Sequence, residues 1–177
     1  MNQQFVKFIA LLSTGLLAGT FFYATVNIVP TFWEVPASVQ LVFRTALMRH
    51  NALTMQLEMG VAIITSGWFC WTVRHFLVSR LFALVAVAMG VATLLITRLG
   101  SVPINLAIKT WNPAAPPTDW LETMVQWDTF HLCRTISAIG SFVFLLLADS
   151  LKQTSPMPKR SDTSVPLSKL RPTLKAN

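Results

Sequence analysis

The chain contains four long apolar stretches, and shorter segments rich in polar residues separate them. Each stretch is close to the roughly 20 residues that an α-helix needs to cross a hydrocarbon core of about 30 Å. They cover residues 8–29, 52–73, 81–99 and 128–148. The first begins just after Lys7, but its apolar run is longer than that of a secretory signal, so we predict a retained first span. The sequence therefore predicts an all-α bundle of four transmembrane helices.

Two further elements are predicted between these spans. After Pro36, which suits the first turn of a helix, apolar residues share one helical face, and this predicts a short interfacial helix over residues 36–50, between spans one and two. That face consists of Val39, Val42, Phe43 and Ala46. Before span four, Asp119 and Glu122 have the spacing of a helix N-cap, and no proline interrupts residues 120–150. Span four is therefore predicted to have an extended helical start outside the bilayer.

Composition places the chain among membrane proteins. Hydrophobic residues make up 53% of it and charged residues 12%, and the mean hydropathy is +0.55, which is too apolar for a soluble domain of this length. We predict one four-span membrane domain over residues 1–152. Residues 153–177 are basic and rich in Ser, Thr and Pro without periodicity, which predicts a disordered cytoplasmic tail.

The basic residues predict an orientation. Lys7, the loop from Arg74 to Arg80 and the tail fall on one side of a four-span topology, and Lys and Arg are held on the cytoplasmic side of a membrane. Both termini are therefore predicted to be cytoplasmic, in a multi-pass protein of a bacterial inner membrane or a eukaryotic endomembrane. The net charge of +7 arises mostly from the tail and suits contact with anionic lipid. No soluble basic face is available for nucleic acid, so we expect no nucleic-acid partner.

One helical stripe carries the candidate chemistry. At 100° per residue, its members fall within about 40° of one line along span four. They are Trp120, Met124, Trp127, His131, Arg134, Ala138 and Ser141. The stripe changes from aromatic to ionisable to small, which suits a pocket with an indole mouth, a titratable group in the middle and a closely packed floor. The alternative is structural, because Trp residues anchor helices at membrane boundaries and an outer Arg pairs with lipid phosphate or a carboxylate.

Three polar residues on the earlier spans extend this hypothesis. Glu58 lies within an apolar run, where a carboxylate costs on the order of 2.5–3.5 kcal/mol, so it is expected to pair with His131 or Arg134 or to be hydrogen-bonded within the bundle. Asn51 shares a helical stripe with Glu58. Tyr23 lies near the outer end of span one and could line the same pocket.

The residues from Pro103 onward resemble a known family. The resemblance is to the C-terminal half of the anthrone oxygenase-like membrane family, whose fungal members act in polyketide pathways. It is carried by Pro103, Asn105, Trp120, Trp127, Asp128, His131 and Arg134. The family implies a monooxygenase, an oxidoreductase that inserts oxygen into a flat polycyclic phenol of the anthrone type. The expected partners are the lipid bilayer, this hydrophobic substrate and molecular oxygen, and a homo-oligomer is compatible with the sequence.

Oxygenation of an anthrone requires few catalytic groups from a protein. Loss of a proton from the acidic methylene gives a delocalised carbanion that can pass an electron to O₂ directly, so no cofactor is expected. His131 would supply the base, and Arg134 or Asn105 would donate to the developing enolate oxygen. The indoles would form the flat walls. These are Trp111, Trp120 and Trp127.

Other chemistries fit the sequence less well. Cys70 and Cys133 are predicted near opposite ends of the bundle, too far apart for a disulfide, and both are interpreted as buried packing residues. His50 and His131 share the outer side, but no helix pairs two ligands at metal-binding spacing. The competing class is a non-enzymatic four-helix membrane protein that binds a lipophilic ligand or partner through the same pocket.

The predicted topology is testable with reporter fusions. A reporter fused after Gly100 should be located on the non-cytoplasmic side and one fused after Lys152 on the cytoplasmic side, because span four lies between them. Alkaline phosphatase and fluorescent-protein activities would read the two sides. If both fusions reported the same side, span four would not cross the membrane.

Overall fold

The computed structural model describes residues 3–154, and its regular elements are helical apart from an isolated bridge between Asn112 and Ala115. In chain order they are α1 (Gln3–Tyr23), a first π-helical segment (Ala24–Ile28), α2 (Val29–Trp33), α3 (Ala37–Thr72), α4 (Leu77–Ile96), a second π-helical segment (Thr97–Ser101), α5 (Val102–Ile108) and α6 (Trp120–Thr154). The all-α prediction is confirmed. The predicted tail lies outside the described residues from position 155 onward.

Three helical stretches are long and apolar enough to cross a membrane. They are Gln3–Trp33, Leu77–Ile108 and Trp120–Leu151, and they contain predicted spans one, three and four. The protein is therefore an integral membrane protein. Predicted span two lies in α3, which does not meet the same criterion because Gln56 and Glu58 lower the hydropathy of its apolar part.

The short interfacial helix is not confirmed, because residues 36–50 do not form an element of their own. α3 begins directly after Pro36 and continues unbroken for 36 residues to Thr72. No proline or glycine interrupts the chain between Pro36 and Gly60, so nothing ends the helix where a boundary was expected. At 1.5 Å per residue α3 is about 54 Å long and therefore extends well beyond a hydrocarbon core of about 30 Å.

A Val-Pro pair follows each π-helical segment. Pro30 is the second residue of α2 and Pro103 the second residue of α5. In a regular α-helix a proline lacks the donor for the carbonyl four residues earlier, and its ring clashes with that carbonyl. The wider π turn relieves the clash, so each helix continues through its proline instead of ending there. Both irregular turns lie towards the same end of the bundle.

The two ends of the bundle differ in chemistry. At what we call the basic end, Lys7 Nζ lies 2.7 Å from Asp149 Oδ2, and the loop with Arg74 and His75 joins α3 to α4. A core of small and apolar side chains from all four long helices closes this end. It includes Val6, Ala10, Phe69, Val73, Ala83, Leu145 and Ala148. The opposite end, which we call the aromatic end, holds a second core around Leu41, Ile104, Ile108 and Met124.

Glycines mark close approaches of helices to α6. A Cβ added to Gly15 would lie 3.2 Å from the ring of Phe142, whereas one added to Gly19 would meet no atom within 4 Å. Gly15 is therefore a close packing position in the described structure, whereas Gly19 is not. The tightest approach near the aromatic end is at Gly100, where a Cβ would lie 2.5 Å from Cδ1 of Phe130.

We predict that Gly100→Ala destabilises the fold. The added methyl would displace the Phe130 ring on α6, and overpacking of this kind costs about 1–3 kcal/mol, more than the roughly 0.5–1 kcal/mol that Gly→Ala contributes within a helix. Thermal unfolding in detergent should therefore show a lower Tm. Gly19→Ala is the matched control and should leave the Tm unchanged or raise it. An unchanged Tm for Gly100→Ala would mean that Phe130 moves away without cost.

Candidate functional site

A cavity of about 320 Å³ lies at the aromatic end of the bundle. The first π-helical segment and α2 line one side of it, α3 another, and the second π-helical segment with α5 and α6 complete the wall. Most of its surface is apolar, with methionines and phenylalanines facing the space. They are Phe21, Phe32, Met48, Met55 and Met59. Its volume lies within the range of about 300–1,000 Å³ that small-molecule sites occupy.

His131 stands at the centre of a hydrogen-bonded chain on this wall. Arg134 Nε donates to His131 Nδ1 over 3.0 Å, and Arg134 Nη2 lies 2.7 Å from the same nitrogen. On the other side of the ring, His131 Nε2 lies 3.1 Å from the hydroxyl of Thr25 in the first π-helical segment. Thr25 also contacts the Thr135 hydroxyl at 2.9 Å. The chain therefore links α6 to the irregular turn that follows α1.

These contacts determine the protonation of the imidazole. A guanidinium has only donors, so His131 Nδ1 must accept, and the neutral ring then carries its proton on Nε2 and donates it to Thr25. The ring is only 2% exposed. It stacks on Trp127 with 5.2 Å between ring centroids and an interplanar angle of 8°, and it meets the edge of Phe21. In this conformation both nitrogens of His131 have protein partners.

Trp127 joins His131 to two other elements. Its Nε1 donates to Asn105 Oδ1 of α5 over 2.7 Å, which leaves the Asn105 amide nitrogen without a protein partner in the described part of the chain. The guanidinium of Arg134 lies 5.2 Å from the Trp127 ring centre, and that of Arg44 lies 4.5 Å from it. The indole is thus in contact with two cations, an arrangement that the negative face of the ring favours.

Arg44 is a cation buried at the edge of the cavity. Its Cζ atom lies 4.3 Å from the centre of the Phe32 ring and 4.5 Å from that of the Trp127 ring, and the residue is 2% exposed. Nη2 donates to Asp128 Oδ1 over 3.2 Å, while Asp128 Oδ2 accepts from Trp33 Nε1 at 2.7 Å. Nε and Nη1 of Arg44 have no partner among the described residues. A guanidinium does not lose its proton at neutral pH, so Asp128 is the counter-charge of a buried cation.

Positive charge dominates the cavity wall. Besides Arg44 and Arg134, the wall includes Arg98 and Lys109, and within the described chain no carboxylate is among the lining residues. Arg98 Nη2 donates to the neutral Gln56 amide oxygen over 3.0 Å. Cations in an enclosed space of low polarity attract an anion more strongly than cations in water do. The wall is therefore suited to a largely apolar molecule that carries or develops negative charge.

The structure brings together part of the predicted site. Five of the predicted residues line the cavity, namely Asn51, Asn105, Trp127, His131 and Arg134. Trp111 and Trp120 instead pack against the core of the aromatic end. Tyr23 is 58% exposed on the outside of α1. These three residues are not among those that line the cavity.

Glu58 does not form the predicted pair. It is partly exposed on α3 and does not line the cavity, and Arg134 instead donates to His131. The reason is helical phase, since the neighbouring residues Met55 and Met59 face the cavity and Glu58 lies on a different side of α3. Cys70 is buried, as predicted, whereas Cys133 is exposed on α6, so the interpretation of Cys133 as a buried packing residue is wrong.

Arg44 was not predicted as a site residue, although its helical spacing from other cavity residues indicated that role. Arg44, Asn51 and Met55 fall within about 40° of one line on a helix, and the structure places all three on the cavity wall. The division of this region into an interfacial helix and a separate span interrupted that stripe. Thr25 was missed too, because a π turn changes the helical phase in a way that a regular period of 3.6 does not predict.

The potential metal-binding side chains of the described residues are dispersed. Within residues 3–154, no three or more His, Cys, Asp or Glu side chains lie together as a ligand group. His131 engages Arg134 and Thr25, as described above, and His75 lies at the basic end. The described residues thus offer hydrogen-bonding and cationic groups around the cavity.

Comparison with protein families gives one match. The family model described as anthrone oxygenase matches residues 43–144, more than half of the chain. The matched region begins beside Arg44 and includes the parts of α3, α5 and α6 that line the cavity. Neither the curated proteins nor the solved structures gave a match.

We predict that Asp128→Asn destabilises the fold strongly. Removal of the carboxylate leaves the buried Arg44 cation without its counter-charge, which costs about 3–5 kcal/mol. Equilibrium unfolding in detergent would measure the loss. Trp33→Phe is the matched control, because it removes only the hydrogen bond to the other carboxylate oxygen, worth about 1.5–3 kcal/mol for a charged acceptor. Equal stabilities of the two variants would contradict a structural ion pair.

Proposed function

The chain belongs to the anthrone oxygenase family, and from this premise we propose that it is a membrane-embedded monooxygenase of flat polycyclic phenols of the anthrone type. The observation that carries the proposal is the convergence of His131, Arg134 and Asn105 around the Trp127 indole on one cavity. These groups provide an imidazole, a cation and an amide donor beside a flat aromatic wall. Apolar side chains form most of the remaining surface of the cavity, which suits a flat apolar substrate.

We also propose that α3 crosses the membrane as the fourth span. It runs from the aromatic end to the basic end beside α1 and α4, which have membrane-spanning length and hydropathy. Its outer face carries an exposed apolar stripe. The stripe consists of Leu53, Leu57, Val61, Ile64, Trp68 and Trp71. It extends about 27 Å at 1.5 Å per residue, close to the thickness of a hydrocarbon core. With four spans both termini lie on one side, which the basic residues assign to the cytoplasm.

The proposed reaction balances without an external reductant. Anthrone and O₂ give anthraquinone and water: the methylene carbon loses both hydrogens and gains one oxygen atom, and the second oxygen atom leaves as water. The first step breaks a C–H bond and transfers the proton to a base. The carbanion reduces O₂, the resulting hydroperoxide forms at the same carbon, and loss of water from it gives the quinone carbonyl. The protein needs to promote only the first step and to exclude bulk solvent.

The residues suit this first step in different ways. The developing enolate oxygen is negative, and Arg134 together with the free Asn105 amide nitrogen would stabilise it by donation. His131 would take the proton at Nδ1, which requires that Arg134 first move from that nitrogen to the substrate oxygen. Substrate binding would therefore release the base. The Trp127 indole would contribute aromatic surface to the wall beside the ring system.

A second candidate function is binding without turnover. The observation that favours it is the engagement of both His131 nitrogens, by Arg134 and by Thr25, which leaves no free base in this conformation. A non-enzymatic protein could use the same cationic, apolar cavity to hold a lipophilic ligand. The two functions differ in whether oxygen is consumed.

We predict that His131→Ala lowers turnover of an anthrone by roughly 10²–10⁴, the usual effect of losing a general base. Binding should persist, because the aromatic walls remain. The measurement is O₂ uptake and quinone formation by purified protein, with and without a chelator. His50→Ala is the matched control, since His50 is exposed on α3 and does not line the cavity.

The outcomes separate the alternatives. Uptake that depends on His131 and is insensitive to chelator supports the cofactor-free reaction. Uptake that a chelator abolishes would instead indicate metal-dependent chemistry. Binding of an anthrone without any uptake would favour the ligand-binding function. Arg134→Lys should also reduce turnover, because an ammonium group does not reproduce the planar donors of the guanidinium.

A further inference from the structure

The reacting centre of an anthrone does not account for all the charge around the cavity. An anthrone is uncharged before it loses its proton, and the developing enolate needs one cationic partner, which Arg134 provides. Arg44, Arg98 and Lys109 also line the wall, and only Arg44 has a carboxylate partner among the described residues. Arg98 and Lys109 are exposed, whereas Arg44 is buried, and a buried cation is unfavourable unless its charge and its donors are compensated. The surplus of positive charge calls for a ligand that is already anionic.

Arg44 carries two buried donors that the described residues leave without a hydrogen-bond partner. It is 2% exposed, yet Nε and Nη1 have no hydrogen-bond partner in the described chain. Buried donors are almost always paired, and an orphaned one costs about 1–3 kcal/mol or more when it is charged. The rings of Phe32 and Trp127 both pack against its guanidinium, so a partner for Nε and Nη1 must approach from a direction that the two rings leave open. An oxygen acceptor from a bound molecule would satisfy these groups.

The geometry gives the two arginines separate positions along one indole. Arg44 and Arg134 both contact the Trp127 ring, at 4.5 and 5.2 Å from its centre, but they belong to α3 and α6. Arg134 is bound to His131, the proposed base, whereas Arg44 is not in contact with the imidazole through any hydrogen bond. A polycycle stacked along this wall would present its reacting carbonyl to Arg134 and a different substituent to Arg44.

We propose that the substrate is a polycyclic aromatic carboxylate and that Arg44 binds its ionised carboxyl group, separately from the reacting centre. This inference rests on the proposed function for the identity of the ring system. A carboxylate is planar, it is ionised at neutral pH, and its oxygens match the in-plane donors of a guanidinium. Arg44 is thereby a specificity-determining residue, and Arg134 stabilises the charge that develops during the reaction.

The test measures binding, so it does not depend on turnover. Full-length protein in detergent is titrated with anthraquinone-2-carboxylate and with its methyl ester, and quenching of tryptophan fluorescence reports the affinity. The two probes share the ring system and differ in charge. A charge-assisted hydrogen bond to Arg44 should make the carboxylate bind about 10- to 100-fold more tightly than the ester.

The variants are chosen so that folding does not obscure the result. Arg44→Met combined with Asp128→Asn removes the buried pair as a unit and leaves no unpaired charge behind. This double variant should retain its affinity for the ester within about threefold and lose the preference for the carboxylate. Arg49→Met is the matched control, because Arg49 is an exposed residue of α3 that does not line the cavity. It should keep the preference of the wild type. Tm values measured on all three proteins establish that they are folded.

The possible outcomes are distinct. Equal affinities of the wild type for the two probes would overturn the inference and leave the proposed function intact, since a water molecule would then be the partner of Arg44. A preference that survives in the double variant would also overturn it, because the carboxylate would then bind elsewhere. Failure of both probes to bind would overturn the inference together with the proposed site.

Discussion

The indole of Trp127 is the contact on which the aromatic end depends. It donates to Asn105 of α5, stacks on His131 of its own helix and lies against the guanidinium groups of Arg44 and Arg134. One rigid side chain thereby fixes the positions of an amide, an imidazole and two cations that come from three helices. Hydrogen bonds alone would hold these groups less firmly, because arginine side chains have many rotamers and lose that freedom at a cost of about 1.5–2 kcal/mol. The ring also explains how two like charges remain near each other, since its negative faces attract both.

The cavity exists because two helices do not end at their prolines. Both Val-Pro pairs follow a π-helical segment, and residues of both segments line the space, including Ala24, Ile28 and Thr97. A π turn is wider than an α turn and rotates the residues after it, so side chains from α2 and α5 face a direction that a regular helix would not give them. Thr25 reaches His131 from the first of these segments. The two irregular turns therefore contribute to the hydrogen-bond network as well as to the shape of the cavity.

Much of this arrangement could be read from the sequence, and the failures have definite causes. The stripe through Trp127, His131 and Arg134 was readable because α6 is a regular helix without proline, so a constant angle per residue applies along it. Glu58 was assigned to the same site because burying a carboxylate in a bilayer costs free energy unless the group has a partner. Its position around the α3 helix, however, places it on a different side from the cavity. Arg44 was missed because a boundary was predicted where the helix has none. Periodicity shows which residues share a helical face only when the predicted start and end of the helix are correct. For α3 the prediction relied on hydropathy, which placed a boundary at the polar residues of a continuous helix.

The Arg134–His131 contact links binding to chemistry in the proposed mechanism. While Arg134 donates to Nδ1, the imidazole has no free lone pair and the site has no base. A carbonyl oxygen of the bound substrate would compete with the imidazole nitrogen for the donors of Arg134, and it becomes the stronger acceptor as negative charge develops on it. Movement of Arg134 to that oxygen would expose Nδ1 and bring the cation to the atom that must carry the charge. Molecules without such an oxygen would leave Arg134 in place and the base blocked. Selectivity for an acidic polycycle would then arise from one exchange of hydrogen-bond partners, while Arg44, held by Asp128 and by two aromatic rings, keeps its position throughout.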